Sequence, residues 1–465
     1  MKVRIRRHYI SLSLLLLAAL EGLVVFGSVY LAANIRFIGG MHEGLIYLGP
    51  LYLRASVIMV IMMTIMIVFG LYEPRNRRIS RGYIMLLMSG FALGFVLLTV
   101  LFYLFPSIWL GRGVFGLSML LSFVGLIVVR AIYNTLLGGE NVKKKILVLG
   151  TGSRSAPIDE LENALEKHDR FKVVGYVKGH SIDFDISSNK LFEPDIPLLA
   201  LAQKNQADEI VVGVRQRRGG GLNMRELLEC RMEGIPVIGL SSFYEREMGR
   251  VLLDSLNPSW FIYGDGFDRG SFRNATKRIF DFATSLIILV ITLPVMLITA
   301  FSIKLESRGP IFYSQRRVGE CGHLFNVLKF RSMRVDAEKH GAQWAQKNDP
   351  RITRIGRVIR LLRIDELPQI INVLRGDMSF VGPRPERPEF IEKLAKQIPH
   401  YASRHSVKPG ITGWAQVKYP YGASLEDARN KLEYDLYYAK NHTLFLDLII
   451  LFQTAQVVLF GKGAR

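Results

Sequence analysis

The sequence predicts three tandem parts: a membrane α-helical N-terminal four-helix bundle, an α/β Rossmann-like middle domain, and a mixed, mostly α C-terminal domain entered through a re-entrant membrane helix. Three observations carry this expectation. Residues 1–140 hold four apolar runs, each near the ~20 residues that cross ~30 Å of hydrocarbon. From Lys145 onward, short apolar runs alternate with helical stretches, the pattern of parallel βαβ units. A fifth apolar run, Phe282 to about Ile303, contains Pro294 and precedes a strongly basic remainder. The parts are therefore drawn at 1–140, 141–270 and 271–465, with the re-entrant helix at about 277–305.

Composition agrees. A chain of 465 residues is too long for one ordinary core, and an apolar share of 49% with positive mean hydropathy marks a membrane protein. Lys and Arg number 60 against 40 Asp and Glu, a formal charge of +20. Next to membrane segments this excess implies cytoplasmic loops and contact with anionic lipid headgroups, and it attracts phosphorylated substrates. No RNP, zinc-finger or recognition-helix pattern accompanies it, so nucleic acid is not the expected partner. Cys230 and Cys321 are distant singles; they form no CxxC and indicate neither a disulfide framework nor a zinc site.

Lys2, Arg4, Arg6 and Arg7 precede the first apolar run, Tyr9 to about Ala33. That run exceeds the apolar core of a signal peptide and is read as an uncleaved span. Further spans are expected at Leu51–Leu71, Tyr83–Phe105 and Gly113–Tyr133. Arg75, Arg77, Arg78 and Arg81 lie between the second and third spans, and Lys143, Lys144 and Lys145 follow the fourth. The loops at 36–49 and 106–112 carry fewer cations, so the positive-inside bias puts the N-terminus, the middle loop and everything after Tyr133 in the cytoplasm. Spans two to four have no ionisable residue deep within them, which argues against a transport pathway. Glu21 in the first span is either a functional acid or a helix–helix hydrogen-bonding group.

In the middle domain, strands are expected at Ile146–Leu149, Lys172–Val177, Glu209–Val214 and Pro236–Gly239. The turn Gly150-Thr151-Gly152-Ser153-Arg154-Ser155-Ala156 could hold a pyrophosphate at a helix N-terminus. Ser155 replaces the third glycine of that fingerprint, and Lys178-Gly179 stands where a ribose-binding acid belongs, so a structural or regulatory role is preferred. Pro258, Gly264, Gly266 and Gly270 mark a linker. A true fifth span beyond it would carry Arg316, Arg317, Lys329 and Arg331 outside, against the positive-inside bias. Pro294 lacks an N–H and clashes with the preceding turn. A helix–break–helix that enters and leaves one leaflet is therefore favoured over a kinked span, with Thr292 as a partner for the freed backbone groups.

The chemistry-bearing stretch is Arg360–Gln369, continuing through Gly376–Glu386. Asp365 and Glu366 are adjacent carboxylates between a basic segment and a Pro383-Arg384-Pro385 turn. Guanidinium groups around carboxylates suit phosphate together with a divalent cation. By itself an Asp-Glu pair reads as a solvated helix start. Upstream, Lys329-Phe330-Arg331-Ser332-Met333 interleaves cations with apolar groups, which suits either a surface where lipid tails meet phosphate or a solvated basic face. The apolar stretch Thr443–Phe460 is broken by Asp447, Gln453 and Gln456 and reads as an amphipathic interfacial helix.

Lys277-Arg278-x-Phe280-Asp281, Pro294, Gly309-Pro310-x-Phe312, Lys329–Met333, Asp365–Gln369, Gly376–Pro385 and Lys408-Pro409-Gly410-Ile411-Thr412-Gly413-Trp414-Ala415-Gln416 occur in one order. Together they resemble the bacterial polyprenyl-phosphate phosphoglycosyl transferases, a monotopic superfamily that begins envelope glycan assembly. The likeness covers Ser271 to the C-terminus. The preceding spans and α/β domain resemble its long members, which initiate exopolysaccharide or O-antigen synthesis.

The resemblance implies transfer of a sugar 1-phosphate from a UDP-sugar to undecaprenyl phosphate, through a covalent aspartyl intermediate and with release of UMP. It implies Asp365 as nucleophile and Glu366 as the Mg²⁺-associated acid. Lys329, Arg331, Arg360, Arg384 and Asp435 are implied near substrate, and Pro383 and Pro385 shape a turn. It further implies a multi-pass protein of the bacterial cytoplasmic (inner) membrane, with the catalytic domain on the cytoplasmic face, in contact with membrane lipids, and suggests a homodimer. After Gly413–Val417 many short members continue Asn-Gly-Arg, whereas this chain has Lys418-Tyr419-Pro420-Tyr421-Gly422 and resembles the exosortase-associated branch. The sugar is expected to be glucose, with galactose and N-acetylated sugars open. A membrane-bound nucleotide-sugar oxidoreductase or dehydratase would need a complete fingerprint and a Tyr-x-x-x-Lys pair in the middle domain, and neither is found. A non-catalytic scaffold would tolerate degenerate motifs, and these are intact.

Overall fold

A computed structural model describes residues 2–5, 8–37, 51–72, 81–137, 143–150, 171–178, 191–192, 196–213, 223–256, 260–261, 267, 270–337, 349–420, 422 and 424–459. Apart from a few N-terminal residues, two compact units divide the chain between Phe243 and Tyr244.

In the first unit the apolar runs form α1 (Leu12–Arg36), α2 (Leu51–Val68), α3 (Arg81–Leu104) and α4 (Arg112–Leu137). All four are long and apolar enough to cross a membrane. α1 packs against α2 and α4, and α2 against α3. Apolar side chains such as Leu23, Val60, Met85 and Leu120 stay exposed on the outer faces, as expected of helices that are apolar all round.

Between α1 and α4 lies a buried polar cluster. Glu21 accepts from Arg130 Nε at 2.9 Å and from the Tyr72 hydroxyl at 2.6 Å. Arg130 Nη1 also donates to the Leu71 carbonyl at 3.1 Å, and its guanidinium lies over the Tyr83 ring. Of the two readings of Glu21, the geometry favours helix–helix bonding. Its partner Arg130 went unremarked in the sequence because it lies close to the end of its span.

The same unit contains an all-parallel sheet of β1 (Lys144–Leu149), β2 (Phe171–Val177), β3 (Leu191–Phe192), β4 (Glu209–Val212) and β5 (Val237–Gly239), in the order β3-β2-β1-β4-β5. This is the doubly wound order expected of alternating strands and helices. The strand pair β2–β3 was not anticipated, since Leu191–Phe192 is too short to show a period. Helices α5 (Leu198–Lys204) and α6 (Met224–Met232) bury Leu201, Leu227 and Cys230 with Leu147 and Ile210 of the sheet, and α7 (Leu240–Met248) follows β5. The phosphate-loop expectation at Thr151–Ala156, and Gly179, lie outside the described residues.

The second unit begins with a strap. Val251 N–H donates to the Glu433 carbonyl at 3.1 Å, Leu253 N–H to the Glu433 carboxylate at 3.2 Å, and Trp414 Nε1 to the Gly249 carbonyl at 2.6 Å. α8 (Ser271–Glu306) follows, and it stays helical through Pro294. The expected break in secondary structure is therefore absent. One proline removes a single hydrogen bond, at the Val290 carbonyl, from a 36-residue helix. Nor does Thr292 serve the freed group: its hydroxyl donates to the Ile288 carbonyl at 2.7 Å.

Both ends of α8 are fastened to this unit. Near the start, Lys277 Nζ lies 2.7 Å from Asp447 and 3.2 Å from the Val381 carbonyl, and Asp281 accepts from Phe380 N–H at 3.2 Å. At the far end Met296 and Ile303 pack on Phe330 and Ile359, while Glu306 accepts from the N–H groups of Arg354 and Ile355 at 2.7 and 3.2 Å. Between them Val290, Ile291, Leu297 and Ile298 are exposed.

An antiparallel hairpin, β6 (Phe312–Val318) and β7 (Leu324–Phe330), leads to α9 (Arg354–Leu361), a 3-10 turn (Ile364–Glu366) and α10 (Gln369–Arg375). β8 (Ser379–Val381) pairs in parallel with β9 (Gly410–Thr412) across α11 (Pro388–Gln397). The chain then continues through α12 (Trp414–Lys418), α13 (Leu425–Asn441) and α14 (Leu444–Leu459). Val373, Phe380, Leu432, Tyr437, Leu446 and Ile450 share one core. α14 does not present the outward polar face expected of it, since Gln456 is buried as well. Its Asp447 points inward, 1% exposed, because Lys277 and the Tyr438 hydroxyl satisfy it at 2.7 Å each.

Candidate active site

Asp365 and Glu366 sit on a strained turn. α9 ends at Leu361, and Arg363 takes up the left-handed conformation at φ 60°, which is uncommon for a side chain with a Cβ. That residue turns the chain into the 3-10 segment. Ile364 and Leu367 anchor the segment in the small core around Phe330 and Ile359.

Lys329 reaches this turn from β7, and Asn372 holds the two together. Its side chain accepts from Leu328 N–H at 3.0 Å and donates to the Asn326 carbonyl at 2.8 Å, pairing α10 to the open edge of β7. Asn372 is fully buried and was missed by the sequence reading. The available signal was an amide within the apolar stretch Ile370-Ile371-Asn372-Val373, where an unpaired polar group would be costly.

The third side of the site is the Pro383-Arg384-Pro385 turn. Gly382 N–H donates to the Thr412 carbonyl at 2.9 Å and Gly410 N–H to the Pro383 carbonyl at 3.0 Å. A Cβ at Gly382 would collide with the Lys408 carbonyl, so this backbone approach requires the glycine. Pro383 and Pro385 are buried.

At the centre, Glu366 Oε1 is 2.8 Å from Lys329 Nζ and 2.8 Å from Arg384 Nη2. Burial alone would raise the Glu366 carboxyl, but Arg384 and Lys329 outweigh it and hold the group well below the usual range. Asp365 differs. It is 8% exposed and makes no hydrogen bond or ion pair among the described residues. Burial pushes its carboxyl up, with Lys329 opposing and Glu366 adding to the rise. The Lys329 ammonium is lowered by burial, partly restored by Glu366. Neighbouring carboxylates with oppositely shifted acidities suit two roles: one anchored charge and one available oxygen.

The remaining expected residues fall into two groups. Arg360, half-buried in the last turn of α9, contributes to the field at Asp365 and has no hydrogen-bond partner for its side chain among the described residues. Arg331 and Asp435 are each engaged by groups other than Asp365 and Glu366. Arg331 is buried and donates to the carbonyls of Arg308 and Ser307 at 3.1 and 2.9 Å, clipping the chain that leaves α8. Asp435 is 2% exposed and paired with Arg404 at 2.7 Å.

A metal would find two carboxylates here and no larger cluster: no group of three or more His, Cys, Asp or Glu side chains converges among the described residues. Glu366 Oε1 is taken by two cations, and Oε2 has no partner among the described residues. This fits Mg²⁺, which typically binds through one or two carboxylates plus substrate phosphates.

The family described as "Bacterial sugar transferase" matches residues 272–461. An N-acetylgalactosaminephosphotransferase from Aeromonas hydrophila, named for UDP-N-acetylgalactosamine and undecaprenyl phosphate, is 44% identical over 263 residues, 56% of this chain and 60% of that protein. A UDP-glucose:undecaprenyl-phosphate glucose-1-phosphate transferase from Xanthomonas campestris pv. campestris is 34% identical over 379 residues, 76% of this chain and 75% of that one. An undecaprenyl-phosphate galactose phosphotransferase from Salmonella typhimurium is 40% identical over 203 residues, 40% of this chain and 41% of the relative.

Proposed function

The chain belongs to the bacterial sugar transferase family, and from that premise we propose that it transfers a sugar 1-phosphate from a UDP-sugar to undecaprenyl phosphate through Asp365. An Asp365 carboxylate oxygen attacks the β-phosphorus of the donor. The phosphorus–oxygen bond to UMP breaks, UMP leaves with the electron pair, and a phosphosugar remains on the enzyme. The phosphate oxygen of undecaprenyl phosphate then attacks that phosphorus, releasing the carboxylate and the undecaprenyl-diphosphate sugar. Splitting the transfer lets a soluble donor and a membrane acceptor use one site in turn.

The observation that carries this reading is a buried Asp365 with no bonded partner among the described residues, beside a Glu366 pinned by Lys329 and Arg384. A carboxylate stripped of hydrogen bonds and raised by burial is the more nucleophilic one. Glu366 would hold Mg²⁺ with the donor diphosphate, where the ion supplies charge to offset the departing UMP. Arg360 is the cation placed to meet donor phosphate, its planar fork suiting bidentate contact.

The proposal includes four N-terminal spans forming a bundle in the bacterial inner membrane, with the site on the cytoplasmic face. α8 enters and leaves the same leaflet. Its support is that both ends of α8 bond to one folded unit, Lys277 to the Val381 carbonyl and Glu306 to the Arg354 N–H, while the exposed middle is apolar.

The test is UMP release by the purified full-length protein with undecaprenyl phosphate and UDP-glucose, UDP-galactose or UDP-N-acetylgalactosamine. Turnover is expected with at least one donor, and one equivalent of UMP without lipid. Absence of UMP with every donor, or full activity in Asp365→Asn, refutes the proposal.

A further inference from the structure

One buried ion pair near the site touches neither Asp365 nor Glu366, yet holds the backbone from which a site residue projects. Arg404, in the 3-10 segment Tyr401–Ser406, is 5% exposed. Its Nη2 lies 2.7 Å from Asp435 Oδ2 and donates to the Arg384 carbonyl at 3.0 Å. Its Nη1 donates to the Tyr401 hydroxyl at 2.7 Å, and the guanidinium sits over the Tyr401 ring. On the next residue, Arg317 Nη1 donates to the Pro385 carbonyl at 3.0 Å. The Arg384 side chain then runs from this gripped backbone to Glu366, 2.8 Å away.

We propose that Arg404 and Asp435 are a positioning pair for Glu366, acting through the backbone of Arg384. The inference rests on the proposed role of Glu366, and it moves Asp435 from a substrate contact to a support of the acid. Stability alone does not account for such a pair, since a buried ion pair is often no more stabilising than apolar side chains of equal volume. Location does. A guanidinium locked by Asp435 and Tyr401 fixes one carbonyl, and that carbonyl belongs to the residue whose side chain neutralises Glu366. Misplacement of catalytic groups by about 1 Å can cost on the order of 100-fold in rate. Arg404 stays charged, because Tyr401 and Asp435 outweigh the effect of burial and raise it. Burial pushes Asp435 up to about 6, against the pull of Arg404.

The experiment measures kcat and KM for UMP release by the full chain in lipid nanodiscs, for Arg404→Gln and Asp435→Asn, each in the natural and in the Arg384→Ala background. In the natural background each is expected to lower kcat about 10- to 100-fold, with the donor KM within about threefold. In Arg384→Ala the same changes should cost less than about threefold, since a support is redundant once its cargo is gone. Hydrogen exchange at residues 381–387 should rise in both variants while α14 stays protected. Asp435→Asn keeps size and a carbonyl acceptor, so it carries the expectation if Arg404→Gln fails to fold. Equal losses in both backgrounds, or a loss confined to KM, overturn the positioning role and leave the reaction intact. A wild-type protein that releases no UMP overturns the reaction and this role with it.

Discussion

Replacing Lys329 by methionine tests the electrostatic core of the site. The substitution keeps most of the aliphatic stem and removes one of two cations at 2.8 Å from Glu366 Oε1. The side chains of Lys329 and Glu366 are 23% and 12% exposed, so solvent replaces the lost contact only in part. A hydrogen bond to a charged group contributes about 1.5–3 kcal/mol. With Arg384 still in place, about 2 kcal/mol is expected, or roughly 30-fold in kcat.

Direction adds a second readout. Lys329 lowers both carboxyls, so its loss raises them, and the acid limb of the kcat–pH profile moves to higher pH as Asp365 protonates earlier. If Lys329 served instead as a proton donor, the alkaline limb would vanish and the acid limb would stay. Steady-state UMP release between about pH 5 and 9 separates these cases. A Lys329→Met enzyme within about threefold of wild type, with an unmoved acid limb, refutes the reasoning.

Three further outcomes are expected. Glu21→Gln leaves Arg130 buried beside a neutral amide; breaking a buried pair costs about 3–5 kcal/mol, and thermal unfolding in detergent should show it, whereas a matched apolar pair at both positions should recover most of the loss. Gly382→Ala drives a methyl into the Lys408 carbonyl; overpacking of this kind costs about 1–3 kcal/mol, and the melting temperature and kcat should fall together as the Pro383–Pro385 turn shifts.

Asp435 gives a pH signature. Its carboxyl, raised by burial to about 6 against Arg404 and with Glu386 and Lys431 nearby, binds its proton more tightly folded than unfolded. Its contribution is therefore present below about pH 4 and lost as pH rises through about 6, up to about 3 kcal/mol. The difference in melting temperature between wild type and Asp435→Asn should follow this window, and a flat difference would contradict it.

The sequence alone determined the elements whose signals are local. Four apolar runs became α1 to α4, and strands at Ile146, Lys172, Glu209 and Pro236 became a parallel sheet, because hydropathy period and length are properties of neighbouring residues. The ordered motifs likewise marked the chain's family, since residue type at fixed spacing is all such a pattern needs.

Tertiary structure alone decided which charges meet. Arg130 finds Glu21 across 109 residues, Lys277 finds Asp447 across 170, and Arg404 closes on Asp435 and the Arg384 carbonyl. A buried charge must find a partner or pay for its desolvation, so these side chains turned inward where composition had read Asp447 as part of a polar face. The same requirement assigns the basic residues their tasks. Arg331 clips carbonyls, Lys329 and Arg384 pin Glu366, and the Arg360 side chain has no hydrogen bond among the described residues. Residue type fixes that each can carry charge; only the packed chain selects which charge it must balance.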